Sequence, residues 1–304
     1  MILFKKHTYC LLTFVLFGSF YVHSQQIESK EAKVVLNEFF FNKDYLKANK
    51  IKTISVSFSS KKPLQPIRKE YFKSSHFLIN KNGYLTRSYF TKRIFGNKID
   101  TAVEWRFYKN DKLSAIKKTG IGGIDVKSIF YENGKPAIYI YGLSQNGSKQ
   151  KLNLFISSYK DRSAEYIEHT PLNKRDTLIK YKSVTSTVFK KELREWKDSI
   201  TFKISYKFPL APEKNYSHTF KYSNNRCKSI VIKKLGVESY SYLFQYSERG
   251  KLLSFTKFNI DQNTSVQFSE LIYNDKTNLL RAIITKDLFD NTILIKKYSY
   301  TYYD

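Results

Sequence analysis

Cysteine is nearly missing from this sequence, with 2 in 304 residues, which excludes a disulfide framework and a cysteine-rich metal site. Glycine and proline are scarce at 11 and 6, so the chain is neither collagen-like nor a flexible linker. Acidic side chains are outnumbered, 26 Asp plus Glu against 53 Lys plus Arg. Long apolar runs are missing as well: none reaches the roughly 20 residues of a membrane-spanning helix. No Gly-x-Ser-x-Gly elbow and no phosphate-binding loop occurs. What the chain has in quantity is aromatic residues, 24 Tyr and 24 Phe, beside a hydrophobic fraction of 41%. That composition suits a folded chain with a sizeable core, of one or two domains.

The chain opens with an address. Lys5 and Lys6 precede an apolar run from Tyr9 to Val22, and Val22-His23-Ser24 places a small residue at its end. This order predicts a signal peptide over residues 1–24, cleaved near Ser24, and hence a secreted, periplasmic or cell-surface protein with no helical membrane span in its mature form. Cys10 lacks the small residues expected before a lipidated cysteine. Cleavage removes Lys5 and Lys6 but no acid, taking the net charge from +27 to +25.

Hydrophobic spacing then divides the mature chain. Val34, Val35, Phe39, Phe41, Tyr45 and Leu46 recur at helical spacing, predicting one N-terminal helix over residues 25–50, from about Glu28. From residue 51 to 304 the period becomes two. It is clearest where Ile200, Phe202, Ile204, Tyr206 and Phe208 alternate with Thr201, Lys203, Ser205 and Lys207, a strand with one buried face. Asn82-Gly83, Asn133-Gly134 and Asn146-Gly147, with the weaker Asn110-Asp111 and Asn224-Asn225, suit the positive φ angles of two-residue hairpin loops. Strands entering the turns share an apolar-x-Tyr-polar plan anchored on Tyr108, Tyr131, Tyr222, Tyr246, Tyr273 and Tyr302. Steps near 25 residues fit a strand-turn-strand unit with its connection. The expected fold is mostly β: an antiparallel hairpin-repeat sheet, curved, behind one helix.

Tyr131-Glu132-Asn133-Gly134-Lys135 and Tyr246-Ser247-Glu248-Arg249-Gly250-Lys251-Leu252 resemble the tyrosine-aspartate (YD) repeats of the RHS family. The resemblance covers about residues 77 to 304 in degenerate form and is poorest over 160 to 215. It implies a curved or spiralling β-sheet of a secreted or cell-surface bacterial protein. The chain is too short for the complete shell that the family sometimes builds around a toxin, so only the architecture carries over.

Catalytic constellations do not assemble. His76, His169 and His218 are scattered singly, without metal-ligand spacing. A hairpin at Asn224-Asn225 sets Cys227 opposite Tyr222 and leaves His218 about 13 Å up the strand, too far for a thiol-imidazole pair. Asp100 and Glu104 share a strand face but lie roughly 13 Å apart, beyond a glycosidase couple. Gly120-Ile121-Gly122-Gly123 lacks the third glycine of a dinucleotide loop and reads as a strand connection. No catalytic residue, metal or cofactor is expected, so the sequence points to no enzyme. The charge leaves a binding surface. Lys203 and Lys207, on the solvent side of their strand, are candidate contacts for an acidic glycan, lipopolysaccharide or another polyanion. Coding bias and edge protection account for many lysines without any partner. The leading expectation is a secreted, non-catalytic β-repeat protein binding or scaffolding at the envelope. The alternatives are an outer-membrane β-barrel, suggested by the alternation and the aromatic end of the chain, and an enzyme of unrecognised type.

Overall fold

The computed structural model describes residues 32–37, 39–93, 99–120, 123–144, 160–172, 176–183, 185–197, 200–234 and 237–304. The signal segment and Asn146-Gly147 lie outside the described residues. Over 32–50 the expected single helix is two short ones, α1 (Lys33–Leu36) and α2 (Lys43–Ala48). The break has local causes. Ala32 sits at φ 50° and Asn37 is extended, ending α1 on both sides. Asn42 begins α2 afresh, its side-chain oxygen accepting from the amides of Asp44 and Tyr45, as an N-cap asparagine does.

The strands are β1 (Ile51–Lys61), β2 (Arg68–Ile79), β3 (Leu85–Arg93), β4 (Ile99–Lys109), β5 (Lys112–Gly120) and β6 (Gly123–Glu132). They continue as β7 (Lys135–Ser144), β8 (Lys160–Pro171), β9 (Thr177–Lys182), β10 (Val188–Lys197), β11 (Ile200–Lys207) and β12 (Tyr216–Ser223). The last six are β13 (Arg226–Lys234), β14 (Val237–Tyr246), β15 (Leu252–Asn259), β16 (Thr264–Tyr273), β17 (Leu280–Asp287) and β18 (Ile293–Tyr302). They form one 18-stranded sheet. Each strand pairs antiparallel with the next in sequence, and β1 pairs with both β2 and β18. At that seam Ile54 faces Tyr300, Val56 faces Tyr298 and Lys61 faces Ile293.

This seam corrects the repeat reading. An open, curved repeat sheet of the RHS type ends in two free edges; here the first and last strands are hydrogen-bonded to each other and the sheet is a closed up-and-down barrel. The alternation, the hairpins and the all-antiparallel pairing are as expected. The curvature runs on to closure, which leaves no unpaired edge among the paired strands.

Three hairpins have two-residue loops with both residues at positive φ or on glycine: Asn110-Asp111 at 49° and 60°, Asn133-Gly134 at 48° and 79°, and Asn224-Asn225 at 50° and 57°. Asn82-Gly83 does not form such a loop. Five residues, 80–84, join β2 to β3, the Gly83 amide donates to the Asn80 carbonyl, and the Asn80 side chain accepts from the amides of Asn82 and Tyr84. Gly83 alone carries the positive φ, at 80°.

The hydrophobic core lies on the concave side. Phe90 on β3 and Phe255 on β15 line a single cavity with Val35, Leu36 and Phe40 of the N-terminal segment, which strands so far apart around the ring can do only from inside. Register then assigns the faces. Ile54, Val56 and Phe58 of β1, Phe77 of β2, Phe220 of β12, Ile230 of β13, Phe244 of β14 and Ile283 of β17 point into the lumen and bury with Phe40, Phe41 and Leu46. Phe41 meets Tyr298 edge-on at 5.9 Å and Phe39 lies 5.3 Å from Phe77. The segment around α1 and α2 is therefore a plug built from the chain itself.

Candidate functional site

The lumen has two kinds of lining. On β6 to β10 a polar and charged cluster faces inward beside Ile129, Ile167 and Ile179. Tyr141 donates to Glu165 at 3.1 Å, Tyr181 donates to Glu192 at 3.1 Å, and Arg194 pairs with Glu192 at 2.6 Å. Lys127 lies 3.5 Å from the Tyr139 ring centroid, and Lys190 sits between the rings of Tyr181 and Tyr206 at 4.5 and 5.0 Å. Glu192 is 4% exposed, yet its carboxylate is paired, as a buried charge must be. Around β1 to β3 and β12 to β18 the lining is apolar and packs on the plug. There a cavity of about 480 Å³ remains, walled by Val56, Phe77, Phe255 and Ile283 among others, with Lys73 and Lys296 also on its wall. Both ammonium groups approach the Phe58 ring, at 4.9 and 6.0 Å.

The outer face divides by sector too. By register Trp105 and Phe107 of β4, Val126 and Phe130 of β6, Ile138 and Ile140 of β7 and Tyr166 of β8 point outward. Phe130 and Tyr166 remain 41% and 45% exposed. On β1 the outward residues are Thr53, Ser55, Ser57 and Ser59, and on β11 to β13 they include Lys203, Lys207, Lys221 and Lys233.

The repeat tyrosines acquire a specific placement. The hydroxyl of Tyr108 on β4 donates to the Leu85 carbonyl on β3, Tyr131 on β6 to Leu113 on β5, Tyr246 on β14 to Cys227 on β13, and Tyr273 on β16 to Leu252 on β15. Each rung ties the first strand of one hairpin to the second strand of the hairpin before it. The last rung is Tyr300 to Leu280, not Tyr302, which is 49% exposed on the rim. Tyr222 lies on β12 opposite Cys227, half-buried and packed against the core.

The remaining candidates stay apart. His76 shares a hydrogen bond with Ser55, His169 with the Pro136 carbonyl, and His218 packs among Tyr206, Tyr216 and Phe220. Cys227 is fully buried and its thiol donates to the Ser229 carbonyl. Glu104 pairs with Arg106 at 2.7 Å and Asp100 is exposed at the strand end. Gly120 pairs with Gly123 where β5 meets β6. No cluster of three metal-ligating side chains occurs among the described residues. Lys203 faces outward but is paired with Glu195 at 3.2 Å, and Lys207 is exposed opposite Lys191. Sequence reasoning missed the inward Lys73, Lys127, Lys190 and Lys296. A signal existed on β10, where Lys190, Glu192 and Arg194 alternate on one face.

No family model matches the sequence, and no curated protein matches it. Among solved structures, a porin-like protein from Bacteroides uniformis aligns with a TM-score of 0.41 and 10% identity, covering 83% of this chain and 97% of that one. A porin-like protein from Bacteroides vulgatus aligns with a TM-score of 0.33 and 8% identity, covering 81% and 97%. The closed barrel itself is established by the strand pairing of this chain. That closure favours the outer-membrane β-barrel over the open secreted scaffold.

Proposed function

We propose that the chain is an exported, non-catalytic β-barrel of the outer envelope, plugged by its own N-terminal segment. Ring closure carries this reading. An even number of antiparallel strands with no free edge satisfies its backbone internally, as lipid demands. Apart from β9, of 6 residues, the strands run from 8 to 12, close to the roughly 9 to 11 of a tilted spanning strand. The outer sector from β4 to β8, apolar apart from Lys117 of β5 and Glu168 of β8, meets lipid, and the outward lysines, Lys203 and Lys207 among them, meet polyanions such as lipopolysaccharide phosphates or acidic glycans. Envelope fractionation tests the placement: the protein stays with membranes through a high-salt wash and is released by detergent.

A second reading is favoured by the serine-rich outer face of β1 and the lysines on β11 to β13. A lysine held at the bilayer midplane costs about 2–4 kcal/mol, so this sector suits water. In this reading the barrel is a water-soluble envelope protein. Release by the salt wash alone would establish it and overturn the membrane placement.

A further inference from the structure

We propose that one rim of the barrel docks end-on against an anionic bilayer, sinking the side chains of Leu64, Leu210 and Phe289 among the headgroups; this rests on the water-soluble reading above. The topology puts the three residues at the same end. Strands alternate in direction from β1, so the loops after β1, β11 and β17 leave one rim, while α2, which rests on the turn after β2, stands at the other. Each tip is clear of the protein: Leu64 is 105% exposed, Leu210 73% and Phe289 95%. Single apolar side chains on a surface are ordinary, but these are held out by built turns. Two of the loops share a proline frame, Pro63-Leu64-Gln65-Pro66 and Pro209-Leu210-Ala211-Pro212, which takes four of the chain's 6 prolines. In each, the residue after leucine donates its amide back across the turn, Gln65 to Lys62 at 3.2 Å and Ala211 to Phe208 at 3.0 Å, with proline where its fixed φ suits a turn. Leu64 sits at φ 58°, a left-handed backbone that leucine adopts only at a cost in stability. Burial does not account for it there. The third loop is fixed by its own side chains, Asp287 accepting from the Phe289 amide at 2.9 Å and Asp290 from the Thr292 amide at 2.8 Å. Lys61 pairs with Ile293, so this loop leaves the barrel beside the Leu64 loop. Shape and charge then select the partner. Seven strand spacings separate β12 from β1, roughly 34 Å along the wall at about 4.8 Å each. A pocket on a folded partner gathers its anchors into one patch, whereas tips this far apart are matched by a plane into which each sinks by itself. Residues 61–70, 207–215 and 286–292 carry seven Lys and Arg against four Asp and Glu, and Lys61, Lys62 and Arg68 are exposed beside Leu64. Such a balance favours anionic headgroups over neutral ones.

Flotation tests the docking. The full chain, taken up in buffer without detergent, is floated with vesicles of phosphatidylcholine alone and with vesicles of phosphatidylcholine and phosphatidylglycerol in equal parts. Binding to the mixed vesicles is expected to exceed binding to the neutral ones at least tenfold and to weaken as salt is raised. Leu64→Asn puts a polar residue suited to the left-handed backbone at that tip. It should lower the partition coefficient several-fold with unchanged or higher thermal stability, and Leu64→Asn/Phe289→Ser should lower it at least tenfold. Leu210→Ser should lower it several-fold, while Leu243→Ser, at a 47% exposed site on the barrel wall, should leave it unchanged. Undiminished binding of the double variant, equal binding to neutral and mixed vesicles, or an equal loss from Leu243→Ser would each overturn the end-on docking. A soluble chain that binds no vesicle overturns the docking alone. A chain released from membranes only by detergent overturns the water-soluble reading and the docking with it.

Discussion

Two glycines with nearly the same backbone have different neighbours. Gly134, at φ +79°, would carry a Cβ whose nearest atom is the mobile Lys112 Nζ at 3.7 Å, whereas a Cβ on Gly83, at φ +80°, would lie 2.3 Å from the Lys43 carbonyl oxygen. Substituting alanine at Gly134 therefore costs backbone strain alone, about 1–2 kcal/mol. At Gly83 the same strain is joined by a backbone collision that α2 must move to relieve. Denaturant unfolding should rank Gly83→Ala as the more destabilised variant, and the reverse order would mean that α2 does not rest on this turn. Near the same contact the Lys43 ammonium meets the Tyr84 hydroxyl, and that hydrogen bond raises the lysine pKa from its ordinary value. The pair's contribution is present at neutral pH and is lost only as pH rises through the raised pKa. The Asn-Gly dipeptides announced their turns, but nothing local in Asn82-Gly83 shows that a helix packs against it. That contact is tertiary, whereas the five-residue loop itself is held by Asn80, whose side chain accepts from the amides of Asn82 and Tyr84.

Between hairpins, the tyrosine rungs join elements that the strand ladder already holds, at the places where the register shifts. The ladder slips between Ile272 and Tyr273 and between Gln245 and Tyr246, and at each slip the tyrosine hydroxyl takes a carbonyl on the neighbouring hairpin. Tyr273→Phe leaves the ring packed and removes that donor, so a loss of about 1–3 kcal/mol is expected. Tyr302→Phe, on the exposed rim, should change stability by less than about 0.5 kcal/mol. Equal effects in thermal unfolding would reduce the rungs to incidental contacts. The recurrence of these tyrosines was legible because Tyr108, Tyr131, Tyr222, Tyr246 and Tyr273 each precede a turn. The choice between Tyr300 and Tyr302 was not, since Tyr298, Tyr300 and Tyr302 alternate alike and only the reach to Leu280 selects one. The lumen lysines were hidden for a related reason: alternation sorts residues onto two faces but does not say which face is concave, and lysine is ordinarily read as solvent-facing. The single N-terminal helix is interrupted where Asn37 turns extended and where the Asn42 side chain takes the amides of Asp44 and Tyr45.

For the molecule as a whole, the seam between β1 and β18 separates the closed barrel from an open repeat array, and no local pattern encodes it. Thr53 and Thr301 lie 248 positions apart, yet their hydroxyls are 2.7 Å from each other on the outer face. A Thr53→Cys/Thr301→Cys variant should form an intramolecular disulfide on mild oxidation, because directly opposed antiparallel residues have Cα separations of about 4.5–5.5 Å, within disulfide range. Non-reducing electrophoresis reads the result. Absence of the crosslink in the folded protein would reopen the ring. The same seam sets a schedule for assembly. Every other pairing joins neighbours in the chain and can form as soon as they meet, but this one must wait for the farthest partner, the slowest kind of contact to make. Until then β1 and β18 are both bare edges, the condition in which sheets recruit foreign strands and aggregate. Refolding should thus show a late phase that the disulfide-linked variant skips, and the interval before closure is when the protein most needs a chaperone or a dilute compartment.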